Sequence, residues 1–318
     1  MSLTVDSHVL GFGGSALGNL GRPMDDEQAA RTVERAWDRG IRYFDTAPHY
    51  GLGLSERRLG AGLRGRPRAE FVVSTKVGRL LEPHPRPVAQ DTEGFAVPGN
   101  LRRRWDFSAA GVRRSIEESL TRLGLDVVDI AYVHDPDQAG AGAAREGLAS
   151  LARLRADGIV KAVGIGTNAT AGLGDIIREG LVDVVMIANR YSLLDQTALE
   201  PVLGPAQEAG VAVVAAGVFA TGLLATTRPM PGATFEYRAP DRDVIERTRR
   251  IAAVCADHGV AVPAAALAFP LRHPAVAAVA VGMRSPNEVD DDVRQFDAVV
   301  PDELWRDLIA AGLIPAAA

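Results

Sequence analysis

Eight short runs rich in β-branched residues recur along this 318-residue chain, and between them lie longer stretches whose apolar residues repeat with helical spacing. The runs cover 9–13, 41–45, 71–76, 128–134, 160–166, 182–187, 211–216 and 276–282. The helical patterns lie near 26–39, 55–64, 109–123, 144–156, 170–179, 199–208, 242–258, 263–272, 286–297 and 302–311. Alternation of this kind makes the strands parallel, because each crossover helix returns the chain to the same end of the sheet. Two architectures satisfy it: a closed (β/α)8 barrel and an open doubly wound sheet. The second, when it binds a dinucleotide, carries Gly-x-Gly-x-x-Gly at its first strand and an acidic residue about 20 positions on. Gly11, Gly13, Gly14 and Gly18 match that loosely and with the wrong spacing. Eight units without a linker therefore predict an α/β fold, a single (β/α)8 TIM barrel over 1–318 with a C-terminal helix.

Helix ends carry their own punctuation. Asp25 with Gln28 reads as a capping box, and Gly40 as the residue just past that helix. Ser285, Pro286 and Glu288 read as an N-cap, an N1 proline and an N3 glutamate. Two segments exceed plain connections: 77–107, rich in Pro and Arg, after the third strand, and 219–240 after the seventh. Loops that follow barrel strands lie on the face where such folds build sites, so both are expected to cover substrate or cofactor.

A balance of 35 Lys and Arg against 40 Asp and Glu excludes a basic nucleic-acid binder. The one cysteine, Cys255, has no partner for an internal disulfide, and no Cys/His spacing points to a metal. The chain starts without a basic segment and long apolar run, and its most apolar stretch, 211–225, is shorter than the roughly 18–20 residues that span a bilayer. A soluble cytoplasmic protein with no metal, no nucleic-acid partner and no membrane is expected, its oligomeric state open.

Four polar residues fall at the carboxyl ends of predicted strands: Asp45 and Tyr50 after the second, Lys76 at the third, His134 at the fourth. A lysine beside a tyrosine stabilises the phenolate and is expected to lower its pKa, while a carboxylate beside the lysine keeps the amine charged and placed. The histidine would orient or polarise a carbonyl. Singly, each residue is more often a cap or a salt-bridge partner. Jointly they make Tyr50 an acid–base residue with neither metal nor nucleophile. After the eighth strand, Gly282-Met283-Arg284-Ser285-Pro286 leads into a capped helix, offering close backbone, a cation and a helix dipole to a phosphate.

The strings Phe44-Asp45-Thr46-Ala47-Pro48-His49-Tyr50-Gly51, Ser74-Thr75-Lys76, Asp129-Ile130-Ala131-Tyr132-Val133-His134 and Gly164-Ile165-Gly166-Thr167-Asn168 resemble those of the aldo-keto reductases. The resemblance covers nearly the whole chain. It implies a barrel of aldo-keto reductase type, a catalytic tetrad of Asp45, Tyr50, Lys76 and His134, and hydride transfer at C4 of NAD(P)(H). The cofactor residues it implies are Gly13, Gly14, Asp45, Thr167, Asn168, Phe219, Gly222, Leu223, Gly282, Arg284, Ser285 and Asp290. The strings His134-Asp135-Pro136-Asp137, Asn189-Arg190-Tyr191-Ser192-Leu193-Leu194-Asp195-Gln196, Gly217-Val218-Phe219-Ala220-Thr221-Gly222-Leu223-Leu224 and Phe269-Pro270-Leu271-Arg272-His273-Pro274 are similar to the L-fucose, D-threo-aldose and L-galactose dehydrogenase branch, which includes pyridoxal 4-dehydrogenase.

NADP-using members of the family place a basic residue where this chain has Asp290-Asp291-Asp292, and these carboxylates would repel a 2′-phosphate. NAD is thus expected, with NADP left open by Arg284. The family's Gln-x-x-Tyr after the sixth strand and its stacking Tyr after the seventh are missing: Ala188-Asn189-Arg190-Tyr191 and Ala215-Ala216-Gly217 stand there, with Asn189 as a substitute. His49, Trp105 and Arg190, with Phe107 and Tyr191, are the substrate-pocket expectations. The expected reaction is NAD-dependent oxidation of an aldose, or of pyridoxal, at its hemiacetal carbon to a lactone. The alternatives are an NADPH-dependent reductase of aldehydes or ketones, and a non-catalytic cofactor-binding subunit.

Overall fold

Every run read as a strand is one. The computed structural model describes residues 9–140, 142–226, 234–235 and 238–316. In chain order the strands are β1 (Val9–Gly13), β2 (Tyr43–Asp45), β3 (Val72–Val77), β4 (Arg79–Val88), β5 (Gly99–Trp105), β6 (Val128–His134), β7 (Val160–Thr167), β8 (Val184–Ala188), β9 (Ala212–Ala216) and β10 (Val276–Gly282). Eight of them close in the order β1-β10-β9-β8-β7-β6-β3-β2, each paired in parallel with its neighbours. The fold is the (β/α)8 barrel expected from the alternation. The remaining pair, β4 and β5, is an antiparallel ribbon outside the barrel.

The helices are α1 (Asp26–Asp38), α2 (Leu54–Leu63), α3 (Ala109–Leu123), α4 (Ala143–Ala156), α5 (Leu173–Arg178), α6 (Gly204–Ala209), α7 (Arg242–Asp257), α8 (Val262–Ala268), α9 (Pro286–Phe296) and α10 (Asp302–Ala310). Differences from expectation follow from proline and glycine. The pattern at 199–208 splits into a π-helical stretch, Leu199–Leu203, and α6, because Pro205 has no N–H to continue the ladder. The pattern at 170–179 begins only after Gly172, whose φ of 75° is not helical. The pattern at 263–272 breaks before Pro270 into a short 3-10 turn, Pro270–Arg272. No single helix among the described residues is long and apolar enough to cross a membrane.

Both capping signals are present, and in each the N3 side chain bonds to a group other than the cap residue's own N–H. Asp25 accepts from Gln28 N at 2.7 Å, but the Gln28 side chain donates to the Arg284 carbonyl at 2.8 Å instead of closing the box. Ser285 accepts from Glu288 N at 3.2 Å, while the Glu288 carboxylate accepts from Arg284 N, one residue before the cap. The Gln28 bond ties α1 to the loop before α9.

The long segment after β3 is built rather than loose. Its tip folds back on the β1–α1 connection, where Ala96 N donates to Asn19 O and Gly21 N to Gly94 O, each at 2.9 Å. It forms a fixed flap over one side of the barrel mouth. Of the second expected cover, 227–233 and 236–237 lie outside the described residues.

Inside the barrel Tyr43 and Tyr132 are fully buried, and glycines on the neighbouring strands make room for them. A Cβ on Gly11 would sit 2.5 Å from the Tyr43 ring, and one on Gly164 would sit 2.1 Å from Val184 O and 3.0 Å from the Tyr132 ring. A backbone oxygen cannot swing away. Gly164→Ala is therefore expected to destabilise by about 1–3 kcal/mol, read as a lower denaturant midpoint at unchanged m-value. An unchanged midpoint would show that this strand pair yields.

Candidate active site

The carboxyl ends of all eight barrel strands line one cleft of about 750 Å³. At its floor the Lys76 ammonium meets Asp45 Oδ2 at 2.6 Å, with side chains only 2% and 5% exposed. Lys76 also donates to Thr46 O at 3.0 Å, and the Ser74 hydroxyl donates to Asp45 Oδ1 at 2.6 Å. Tyr43 OH lies 3.1 Å from Ser74 Oγ and 3.3 Å from Tyr132 OH. A carboxylate can only accept, so Ser74 spends its proton on Asp45 and takes one from Tyr43, which in turn accepts from Tyr132. The hydroxyls thus form a one-way chain that places positive hydrogen against the carboxylate.

Tyr50 stands over this pair, its ring centroid 4.8 Å from Lys76 Nζ. The turn that carries it touches backbone: a Cβ on Gly51, at φ 62°, would lie 2.2 Å from Gly18 O, so only glycine lets the loops meet. His134 ends β6 edge-on to Tyr50, with centroids 6.1 Å apart. His49 and Phe95 complete the ring of aromatic groups around them.

Burial decides the electrostatics. The Tyr50 phenol is pushed up to about 12 by burial, against the downward pull of Lys76. This reverses the expected sign: the cation is present, but loss of water outweighs it. Burial alone would discharge Lys76, yet Asp45 and Tyr50 more than offset it and hold the ammonium above its usual range. His134 is held well below the histidine range, first by burial and then by Lys76 and Arg79. His49 is pushed down to about 2 by burial, Arg79 and Arg103. Both imidazoles are therefore neutral, and the 3.7 Å approach of Glu93 to His49 is not an ion pair.

Of the other residues expected here, Gly13, Gly14, Thr167, Asn168, Phe219, Gly222, Gly282 and His49 line the cleft. Several do not. Leu223 is fully buried in the core. Trp105 stacks on Phe107 and covers Arg79 at 4.3 Å, behind the cleft wall. Arg190 turns back to Asp195 and to the carbonyl of Asn168, while Tyr191 packs on Phe269. Arg284 donates to the carbonyls of Leu20 and Arg22, and Ser285 caps α9; both stand beside the cleft rather than in its wall. Asp290 is held by Arg35 and Arg39, so it is a compensated tie between α1 and α9, not a free repelling charge. Residues that escaped the sequence reading are Glu93 and Phe95 on the flap and Asp135, which follows His134 directly.

The arrangement fits a nicotinamide. Asn168 and Asn189 end adjacent strands at the cleft, and their side-chain amides make no hydrogen bond among the described residues. Such a pair offers the donors and acceptors that a ring carboxamide needs. Asn189, at φ 62°, fits only because Gly217 leaves its side chain room: a Cβ there would lie 2.2 Å from Asn189 Oδ1.

Comparison with known proteins agrees with this geometry. The Aldo/keto reductase family pattern matches residues 9–311. A D-threo-aldose 1-dehydrogenase of Pseudomonas sp is 46% identical over 96% of this chain and 94% of its own length. A pyridoxal 4-dehydrogenase of Microbacterium luteolum is 39% identical over 96% and 94%. Among solved structures, the holo form of an aldo-keto reductase from Bacillus halodurans superposes with a TM-score of 0.75 at 26% identity, covering 99% of this chain and 96% of that one. The chain belongs to the aldo/keto reductase family and is an oxidoreductase that works with a nicotinamide cofactor on small molecules.

Proposed function

We propose that the protein oxidises an aldose at its hemiacetal carbon to the lactone, using NAD. The observation that carries this is the buried Lys76–Asp45 pair beneath Tyr50, beside a neutral His134. Tyr50, as a phenolate that Lys76 stabilises, takes the proton of the anomeric hydroxyl. Asp45 and the Ser74 hydroxyl hold Lys76 in place. The neutral His134 donates a hydrogen bond to the same oxygen. Asn168 and Asn189 would hold the amide of NAD, and Phe219 would wall its ring; when bound, the cofactor would supply the hydride acceptor. The aldose is favoured over other substrates by the 46% identity to an aldose dehydrogenase.

The preference for NAD rests on charge. With Asp290 compensated, and with Asp292 pushed up to about 7 by burial, Glu288 and Asp291 and so only partly charged near neutrality, the repulsion falls to Glu288 in the first turn of α9. The Arg284 guanidinium, the cation nearest that turn in sequence, already serves two carbonyls.

Four outcomes test this reading. Tyr50→Phe keeps cofactor binding and loses turnover by about 10²–10⁴-fold; near-normal turnover would remove Tyr50 from the chemistry. Oxidation needs the phenolate, so its rate climbs with pH through the alkaline range, whereas reduction uses the phenol, raised by burial, and stays flat near neutrality. Lys76→Met removes a downward pull and shifts the climb about 1–3 pH units higher; an unmoved profile would show that Lys76 does not tune Tyr50. Finally, kcat/KM with L-fucose and NAD exceeds that with NADP at least tenfold, and equal values contradict the charge argument.

A further inference from the structure

We propose that Asp135, clamped by Arg79, reads the hydroxyl on the carbon next to the reacting one, so that the site selects 2-hydroxy aldoses over aldehydes that lack that group. This rests on the aldose reading above and narrows its substrate class.

Three independent features single out Asp135. Its backbone sits at φ 42°, ψ 51°, a left-handed conformation that costs a non-glycine residue free energy. The following Pro136 disfavours any helical-type geometry at that position as well. Its N–H bond to Gly166 O at 2.9 Å holds the conformation in place. A residue strained twice over at the rim of a cleft is one whose side chain has been aimed.

The aim is towards the reacting oxygen. Asp135 lines the cleft, and its Oδ2 lies 3.5 Å from His134 Nε2, the imidazole that bonds the oxygen undergoing oxidation. With His134 neutral this contact is no ion pair. Neighbouring oxygens on a sugar stand about one hydrogen bond apart, so a substrate oxygen on His134 brings the adjacent hydroxyl to Asp135.

The clamp is built for the task. Arg79 Nη2 donates to Asp135 Oδ2 at 2.6 Å from a side chain only 8% exposed, and Trp105 covers its face. Arg79 Nη1 lies 3.4 Å from Glu93 on the flap, a second carboxylate in the cleft wall. Asp135 Oδ1 accepts from no group among the described residues, leaving lone pairs for a ligand hydroxyl. A sugar hydroxyl donated to a carboxylate is a charge-assisted bond. An aldehyde without the 2-hydroxyl leaves that acceptor unmet.

The test pairs a change in the protein with the matching change in the substrate. Wild type, Asp135→Asn and Asp135→Gly are assayed with NAD on L-fucose and on 2-deoxy-L-fucose. Glycine keeps the left-handed backbone at no steric cost and asparagine tolerates it, so neither variant loses its fold by strain. Wild type is expected to prefer the 2-hydroxy sugar roughly ten- to a hundredfold in kcat/KM, with the preference gone in Asp135→Gly and reduced in Asp135→Asn. A preference of equal size in all three proteins, or none in wild type, overturns the proposal. The same pair of sugars is titrated calorimetrically into Tyr50→Phe loaded with NAD, with and without Asp135→Gly. That ratio of Kd values needs no turnover. If wild type oxidises neither sugar, the proposed function falls, and the Kd ratio still decides Asp135: a ratio lost with the carboxylate supports it, and an unchanged ratio, or no binding of either sugar, overturns it.

Discussion

The buried Asp45–Lys76 pair is the constraint around which the rest of the molecule is arranged. Two opposite charges with almost no access to water are tolerable only at hydrogen-bond distance and with their remaining valences met, and removing one partner of such a pair typically costs about 3–5 kcal/mol. The chain meets that demand from inside the barrel. Tyr132 donates a hydrogen bond to Tyr43, Tyr43 to Ser74 and Ser74 to the carboxylate, and such chains strengthen in a low dielectric. The demand continues outward, because the two phenol rings need space that Gly11 and Gly164 provide on adjoining strands. The glycines, the tyrosines and the ion pair therefore form one device, and a change in any of them is felt at Tyr50.

The two ends of the cleft are held by different means. At one end, the flap from β4 and β5 brings Glu93 and Phe95 over the mouth, and Arg103 anchors it through Asp91 and the carbonyl of His49. At the other, α1 is locked to α9 by Gln28 on the Arg284 carbonyl and by Arg35 and Arg39 on Asp290. One mouth is walled by a fixed ribbon and the other by two tied helices.

The barrel was legible because its signal is periodic and repeated: eight apolar runs and ten helical patterns cannot easily be arranged otherwise. The four residues at strand ends were legible for a related reason, since a parallel barrel brings all its carboxyl ends to one face. What escaped depended on direction and solvation, which spacing does not encode. Residues 77–107 read as an irregular cover because prolines at 83, 85 and 87 break the alternation that marks a strand, although an outlying ribbon accepts them. Trp105 and Arg190 stood at the right sequence positions, but their side chains turn to Arg79 and Asp195. Asp290 looked like a free carboxylate until α1 supplied two arginines from more than 250 positions away.

The upward shift of Tyr50 bears on how one residue serves both directions of a redox reaction. A neighbouring ammonium argues for a lowered pKa, yet a phenol sunk in a narrow cleft loses more from desolvation than it gains from the cation. With a neutral reduced ring in the cleft, Tyr50 would stay protonated and suit the donor's role in reduction. An oxidised nicotinamide is positively charged, and a cation brought against a buried phenol favours its ionised form by the same Coulomb rule that makes Lys76 effective. Tyr50 would then be a better base when the cofactor is ready to accept hydride and a better acid when it is ready to give one. That coupling requires the phenol to begin high, which is what burial does here.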